Sequence, residues 1–104
     1  MGEPDYAHYC TAKAGVLGFT RAMARELIPW RINFNAVAPG VCATGWFDQA
    51  DPARVERVEE MIPWGRMGTA EEIAALVVFL LSDRADFITG QVISPNGGMV
   101  IGGV

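Results

Sequence analysis

The chain has 104 residues, with twelve acidic against eight basic side chains and a formal net charge of −4. This length is enough for one small domain. Because no basic stripe is present to neutralise phosphates, the charge pattern argues against a nucleic-acid partner. The hydrophobic fraction of 51% favours a packed protein over a disordered one.

Neither a membrane segment nor a metal site is predicted. The longest apolar run, residues 73–81, is about half as long as a membrane span. The first residues lack the basic start and apolar run of a signal peptide. The chain has one histidine, and Cys10 and Cys42 are far apart without a second cysteine near either. We therefore expect two free thiols and a cytoplasmic location.

The first periodic segment predicts a helix from about Tyr6 to Leu27, closed by Pro29. Small residues recur on one face of this helix at steps of three and four, at Ala12, Gly15, Gly18 and Ala22. Such a face lets another helix or a sheet approach closely. Packing within one subunit and contact between subunits both remain open at this point.

The middle of the chain predicts a strand and then broken structure. Apolar and polar residues alternate in "RINFNAVAPG", which is typical of a strand that ends at Pro39–Gly40. Residues 41–52 are predicted to be irregular, and residues 53–62 form a polar helical piece. Pro63, Gly65 and Gly68 interrupt the chain again.

A second long helix is predicted from a capping box, with Thr69 as N-cap and Glu72 at the third helical position, and it runs to about Ser82. Residues 73–81 are apolar on every side, so we expect cover on more than one face. Residues 91–95 predict a last strand. The element order is typical of an α/β fold. Two strands are too few to bury such a helix, so much of its partner surface would lie outside these residues.

The most informative pair is Tyr9 and Lys13, the latter being the only lysine in the chain. Residues four apart lie on the same face of a helix. An ammonium near a phenol lowers the pKa of the phenol, so the pair suits general acid/base work on a carbonyl and its alcohol. The same ammonium can donate hydrogen bonds to a sugar hydroxyl. Taken alone, the pair fits a surface lysine over an aromatic ring equally well.

The motifs of the whole chain resemble one family. The series "YCTAK", "INFNAVAPGVCAT", "RMGTAEEIAALVVFLLSD" and "ADFITGQVISPNGG" is similar, in order and spacing, to the C-terminal half of the short-chain dehydrogenase/reductases. The resemblance is strongest to 3-oxoacyl-acyl-carrier-protein reductases and related keto reductases, and it covers nearly all residues from Tyr6 to Gly98. It implies an α/β fold, namely the C-terminal part of a Rossmann-like doubly wound parallel sheet whose N-terminal dinucleotide-binding half is missing. Residues 1–104 would then be the C-terminal catalytic half of one domain.

The resemblance also implies a site and a cofactor. Tyr9 would be the catalytic acid, and Lys13 would hold the nicotinamide ribose and lower the pKa of Tyr9. The cofactor would be NAD or NADP, with NADP favoured by the resemblance. Thr44 would bind the carboxamide or the pyrophosphate, and the backbone at Val41 would meet the carboxamide. The positions expected to contact the cofactor are Tyr9, Lys13, Pro39, Gly40, Val41 and Thr44.

The segment from Gly45 to Met67 stands where this family carries a variable substrate lid. The residues expected to line the substrate are Gly45, Trp46, Phe47, Met61 and Trp64. Their side chains would give the lid apolar walls, although the aromatic residues can equally serve to pin the loop. The implied substrate is a small carbonyl or alcohol compound or an acyl thioester, and the implied assembly is a homodimer or homotetramer.

Two departures from the family pattern stand out. Asn96 replaces the usual aspartate before the paired glycines, which we expect to be a minor structural change. The Gly-rich turn for the pyrophosphate and the catalytic serine have no candidate, and Met1 is only eight residues before Tyr9. We therefore expect a fragment that is inactive by itself. The alternative is a truncated, non-catalytic product that acts only through subunit association.

Overall fold

A computed structural model describes residues 4–101, apart from the side chains of Trp46 and Asp48. Within that range the helices are α1 (Ala7–Leu27), α2 (Gly45–Asp48), α3 (Pro52–Glu60) and α4 (Ala70–Leu80). The strands are β1 (Ala36–Val37), β2 (Cys42–Ala43), β3 (Gly68–Thr69) and β4 (Val92–Ile93). Short 3-10 turns follow α1 at Ile28–Trp30 and α4 at Asp83–Ala85.

The strands form two parallel pairs. Strand β1 pairs with β4, with Ala36 opposite Val92, and β2 pairs with β3, with Cys42 opposite Gly68. The predicted α/β fold is therefore confirmed. The expectation of two strands was too low for the described residues, and the prediction that residues 41–52 are irregular was wrong, since they contain β2 and α2. A strand of two residues is too short to show an alternation of apolar and polar side chains. It forms only because a partner strand pairs with it.

Strand β1 is shorter than the predicted strand because side chains supply most of the hydrogen-bond partners at its start. The Asn33 amide donates to the carbonyls of Ala85 and Asp86, each at 3.0 Å. The Asn35 amide donates to Ile88 O at 3.0 Å, and its oxygen accepts from the N–H of Gln91 at 3.0 Å. The segment before β4 is thus fixed to residues 33–35 by side chains and by one backbone hydrogen bond, from the Gly90 N–H to Phe34 O at 2.8 Å, and the paired strand residues begin at Ala36.

Helix α1 lies against the β1–β4 pair through a few side chains. The rings of Phe19 and Phe34 meet edge to face at 5.7 Å between centroids. Ala24 is 3% exposed and faces Gly90, where an added Cβ would lie 3.3 Å from the Ala24 Cβ. Thr20 is buried, and its hydroxyl donates to Val16 O at 2.7 Å. The helix predicted over residues 6–27 is confirmed.

Helix α4 begins at the predicted capping box. The N–H of Glu72 donates to the Thr69 hydroxyl at 3.1 Å, and the Thr69 N–H donates to the Glu72 carboxylate at 2.9 Å. Arg66 donates to both oxygens of the same carboxylate, at 2.6 and 3.0 Å. The Arg66 hydrogen bond, followed by the Thr69 N–H, lowers the pKa of Glu72 from 4.5 to about 2.

Much apolar surface is exposed. The chain exposes 8075 Å², whereas a folded monomer of its mass is expected to expose about 5,700 Å². Its radius of gyration of 15.9 Å exceeds the value of about 13 Å expected for a compact domain of this length. In the described structure no residue of α4 is buried, and the side chains of Val78 and Leu81 are mostly exposed. Much of the partner surface of residues 73–81 was predicted to lie outside these residues, and the described part of this chain leaves them largely uncovered.

Within residues 4–101, no helix combines the length and the hydropathy that crossing a membrane requires. Within the same range, no three side chains of the usual metal-ligand types are grouped closely enough to hold an ion.

Candidate active site

Tyr9 and Lys13 lie on one face of the first half of α1 and contact each other. The Lys13 ammonium is 5.5 Å from the centroid of the Tyr9 ring, above its face. The Tyr6 ring meets the Tyr9 ring edge to face, with 6.4 Å between the centroids. Tyr9 is 55% exposed. Its phenol is therefore held between a cation and a second aromatic ring while it remains accessible from outside.

A groove of about 490 Å³ runs between this face of α1 and the β1–β4 pair. It is lined by Tyr9, Cys10, Lys13, Ala14, Val16, Leu17, Ala36, Val37, Ala38, Pro39 and Val92. Most of these side chains are apolar or small, so Tyr9 and Lys13 supply the chemistry of the groove. The structure thus brings three of the sequence-predicted site residues, Tyr9, Lys13 and Pro39, to one groove.

The charge of Lys13 is available to a ligand. Within residues 4–101 no carboxylate is paired with it. An ammonium without an ionic partner can donate three hydrogen bonds and stabilises a nearby phenolate. The pair can therefore exchange a proton at the Tyr9 oxygen and bind a hydroxyl-bearing ligand next to it.

The turn after β1 is held against the turn after β4. The N–H of Ala38 donates to Ile93 O at 2.9 Å, and that of Gly40 donates to Pro95 O at 3.1 Å. A Cβ on Gly40 would lie 2.8 Å from both Cα and Cβ of Asn96. Only glycine allows this close approach, because the obstructing atoms include backbone. The carboxyl ends of the two strands therefore form one compact edge, which is where ligands collect in open α/β sheets.

Two further grooves open from the same turn. The second groove, of about 660 Å³, is largely apolar and is bordered by Pro39, Gly40 and Thr44 together with α4. The third, of about 270 Å³, is bordered by Val41, Trp64 and the Arg66–Glu72 pair. The predicted cofactor residues therefore cluster around one turn but face three adjoining grooves.

The predicted substrate-lining residues are only partly gathered. Trp64 borders the third groove and is 73% exposed. Met61 is 68% exposed and borders none of the three grooves. Gly45 begins α2, and the Phe47 N–H donates to Thr44 O at 2.8 Å within that short helix. The predicted role of the Trp46 side chain lies outside what the structure describes.

Asn96 organises the edge in a way that the sequence reading did not foresee. Its amide donates to the Ser94 hydroxyl and to Val100 O, each at 3.0 Å, and its oxygen accepts from Gly98 N–H at 2.9 Å. The Asn-Gly-Gly sequence after a strand was the available signal, because such residues favour tight turns. Cys10 and Cys42 also border grooves, both as free thiols.

Comparison with known proteins gives a consistent result. Residues 1–100 match the family described as enoyl-(acyl carrier protein) reductase. The chain is 50% identical to the acetoacetyl-CoA reductase of Shinella zoogloeoides over 99 residues, covering 93% of this chain and 41% of that protein. It is 48% identical to the 3-oxoacyl-acyl-carrier-protein reductase FabG of Pseudomonas aeruginosa, covering 95% and 40%. Nodulation protein G of Rhizobium meliloti is 40% identical, covering 97% and 41%.

The chain thus spans about two fifths of the length of these relatives. The family match extends over nearly all of the chain, including the Tyr9–Lys13 helix and the turn after β1. Parallel strand pairing and the α/β order of elements agree with that match. The chain belongs to the short-chain dehydrogenase/reductase family of oxidoreductases.

Proposed function

We propose that this chain is the catalytic part of an NAD(P)-dependent oxidoreductase that interconverts a carbonyl compound and its alcohol. The observation that carries the proposal is the contact of Tyr9 with Lys13 on a face of α1 that opens onto the carboxyl end of β1. A phenol and an unpaired ammonium at that edge have the chemistry that carbonyl reduction needs.

In the proposed reaction, Tyr9 donates its hydroxyl proton to the carbonyl oxygen of the substrate. Lys13 stabilises the phenolate that remains, because its positive charge lies near the ring. In the reverse direction the phenolate takes the proton back from the alcohol. A bound NADH or NADPH would supply the hydride that reaches the carbonyl carbon.

The residues present fit the nicotinamide end of such a cofactor. Lys13, which pairs with no carboxylate within residues 4–101, has donors for ribose hydroxyls, and the second groove offers Thr44 beside apolar walls. The backbone at Val41 follows the closely packed turn at Gly40 and would meet the carboxamide. For the pyrophosphate, residues 4–101 hold no Gly-rich turn between a strand and a helix. The N–H groups at the amino end of α4 are also not available to it, because that end carries its own capping box. NADP is the preferred form in this proposal.

The open edge of β1 supports the proposal that another part of a Rossmann-like domain completes the site. The N–H groups of Ala36 and Ala38 point towards the β4 segment. Those of the alternate residues point to the opposite edge, where residues 4–101 supply no strand. Residues 1–104 are, on this proposal, the C-terminal catalytic half of one domain, and the other half would carry the dinucleotide cradle and the catalytic serine.

The substrate is proposed to be an acyl thioester with a keto group. The relatives are named for acetoacetyl-CoA and for 3-oxoacyl groups on a carrier protein. Segment 45–67 would cover the substrate, with Gly45, Phe47, Met61 and Trp64 on its apolar side. The assembly is proposed to be a homodimer or homotetramer.

The test is a chimera in which this chain replaces the matching segment of the Shinella zoogloeoides acetoacetyl-CoA reductase. Tyr9→Phe should lower kcat with acetoacetyl-CoA and NADPH by a factor of about 10²–10⁴, as expected for loss of a positioned acid. Tyr6→Phe is the matched control, since it removes the neighbouring hydroxyl and keeps the ring, and it should retain turnover. Equal activity of the Tyr9→Phe and unaltered chimeras would refute the proposed role.

The chain alone should neither bind NADPH at micromolar concentration nor reduce the keto substrate, because residues 4–101 hold no pyrophosphate cradle. Titration calorimetry of the unfused chain measures this directly. Saturable binding, or turnover that Tyr9→Phe abolishes, would show that the site is complete within these residues.

A second candidate function is favoured by the exposed apolar surface of α1 and α4. On that alternative, the chain is a non-catalytic partner that associates with a complete reductase subunit. Turnover by the chimera, together with sedimentation of the unfused chain with the Pseudomonas aeruginosa reductase, would distinguish the two, because the non-catalytic alternative predicts a stoichiometric complex and no turnover that depends on Tyr9.

A further inference from the structure

The glycine pair after Asn96 is packed tightly against the end of the proposed substrate-covering segment. The Trp64 N–H donates to Gly97 O at 3.0 Å. A Cβ on Gly97 would lie 2.8 Å from Ile62 Cγ2 and 3.2 Å from Trp64 Cβ. Ile62 is 3% exposed, which leaves it little room to give way. Residues 62–64 are therefore fixed to the turn after β4 by a hydrogen bond and by direct contact.

The same segment is also fixed at its other end. Arg66 donates to both carboxylate oxygens of Glu72, and through Nη1 to Met67 O at 3.0 Å. The Gly68 N–H donates to Val41 O at 3.0 Å, and Met67 is 8% exposed. Residues 62–68 are thus held from both sides, between the strand ends and the start of α4.

Trp64 is the part of this segment that remains available to a ligand. Its backbone is fixed, while its side chain is 73% exposed and borders the third groove beside Val41. Val41 belongs to the turn whose Pro39 borders the Tyr9–Lys13 groove. The backbone that carries the indole is therefore positioned relative to the strand-end turns by the turn at Gly97.

We propose that Gly97 is a positioning residue that sets Trp64 as an apolar wall for the acyl part of the substrate. The inference rests on the proposed function for its substrate, and on the contacts of Ile62 and Trp64 for its mechanism. It predicts that a methyl group at position 97 shifts Trp64 and weakens substrate binding, while the proton transfer at Tyr9 is preserved.

Gly65 provides a matched control. Both glycines have positive φ, +61° at Gly97 and +88° at Gly65, so alanine strains the backbone at either position. A Cβ on Gly65 meets nothing within 4 Å, however. Any difference between Gly97→Ala and Gly65→Ala therefore reports the contact with Ile62 and Trp64 and not the backbone strain alone.

The first measurement uses the 104-residue chain labelled with 5-fluorotryptophan, with the Trp64 fluorine signal assigned by Trp64→Phe. Gly97→Ala should shift the Trp64 signal and speed hydrogen exchange of the Trp64 amide about tenfold, as expected for a forced methyl group. Gly65→Ala should change both less, because it strains the backbone next to Trp64 but its Cβ meets nothing within 4 Å. Equal responses to the two substitutions, or an unmoved Trp64 in Gly97→Ala, would overturn the proposal.

A compensating substitution distinguishes the Ile62 contact from general misfolding as the cause of the disturbance. Ile62→Leu removes the Cγ2 methyl that a Cβ at position 97 would meet. Added to Gly97→Ala, it should return the Trp64 signal and the amide exchange towards the values of Gly65→Ala. If the double variant is as disturbed as Gly97→Ala, the Ile62 contact is not the cause and the proposal fails.

The second measurement is kinetic and uses the chimera described above. Gly97→Ala should raise KM for the acyl thioester about tenfold, as for one lost apolar contact, and change kcat less than about twofold. A fall in kcat with unchanged KM would contradict a positioning role. An inactive chimera in every form would refute the proposed function, whereas the fluorine and exchange results test the Gly97 contact without any activity.

Discussion

Glycines serve opposite purposes in two regions of this molecule. At the strand-end junction, formed by residues 39–41 and 94–98, an added Cβ on Gly40 would lie 2.8 Å from the Asn96 backbone. On the small-residue face of α1, formed by Ala12, Gly15, Gly18 and Ala22, an added Cβ at Gly15 or Gly18 meets nothing within 4 Å. Within the described residues, the glycine at the junction has a packing partner, whereas the glycines on the α1 face have none.

This difference separates two reasons for a small side chain. At the junction, backbone approaches backbone, so the need for glycine is visible in the structure. On the α1 face, glycine weakens an exposed helix without any compensating contact in residues 4–101. A contact with a second subunit would supply the compensation, and substitutions can decide between the two situations.

The largest expected effect is at the junction. Gly40→Ala should lower the free energy of unfolding by about 1–3 kcal/mol, because the methyl group forces the two turns apart. Urea denaturation followed by far-ultraviolet circular dichroism measures this change. A midpoint within error of the unaltered chain would show that the junction has room that the contacts do not reveal.

A smaller effect of opposite sign is expected on the α1 face. Gly18→Ala should raise the free energy of unfolding by about 0.5–1 kcal/mol, because alanine is the better helix former and the space is open. The same denaturation assay checks it, with Gly40→Ala as the contrasting variant.

If this face contacts another subunit, a larger side chain at position 18 should destabilise the assembly. Gly18→Leu should then break the assembly of the intact protein before helical structure is lost, and sedimentation would show smaller species. A stable monomer of the unaltered intact protein would remove the subunit explanation for the small residues.

The smallest expected effect concerns the Arg66–Glu72 pair beside the junction. The lowered pKa of Glu72 means that its contribution to stability is present above its ordinary value of 4.5 and is lost as pH falls towards about 2. The thermal midpoint should therefore fall more between pH 4.5 and 2 in the unaltered chain than in Glu72→Gln. Both side chains are about half exposed, so added salt should weaken the difference.

Sequence reasoning predicted the helices well because their signals are local. The Thr69–Glu72 capping box marks the start of α4 at the correct residue, and α1 differs from its predicted range by one residue. Strands β2 and β3 were missed because each has two residues and depends on a partner far along the chain. The early part of the predicted β1 is held by Asn33 and Asn35 side chains, which no alternation pattern can reveal.

The candidate site, like the fold, was predictable where its signal is local in the sequence. Tyr9 and Lys13 are one helical turn apart, so their contact follows from spacing alone. The division of Pro39, Val41 and Thr44 among adjoining grooves depends on how the two strand-end turns pack, and that is set by Gly40 and Asn96 across the sheet. Long-range packing of this kind leaves no periodic trace in a single sequence.

The parallel pairing of β1 with β4 has a consequence for folding during synthesis. Ala36 can pair only after Val92, 56 positions later, has been synthesised. At ordinary translation rates that delay is roughly 3 to 11 s, whereas helix α1 can form as soon as it leaves the ribosome. Throughout that interval the apolar strand is exposed beside a finished helix. Slow growth of the chain, rather than the stability of its final state, would then set the demand for chaperones.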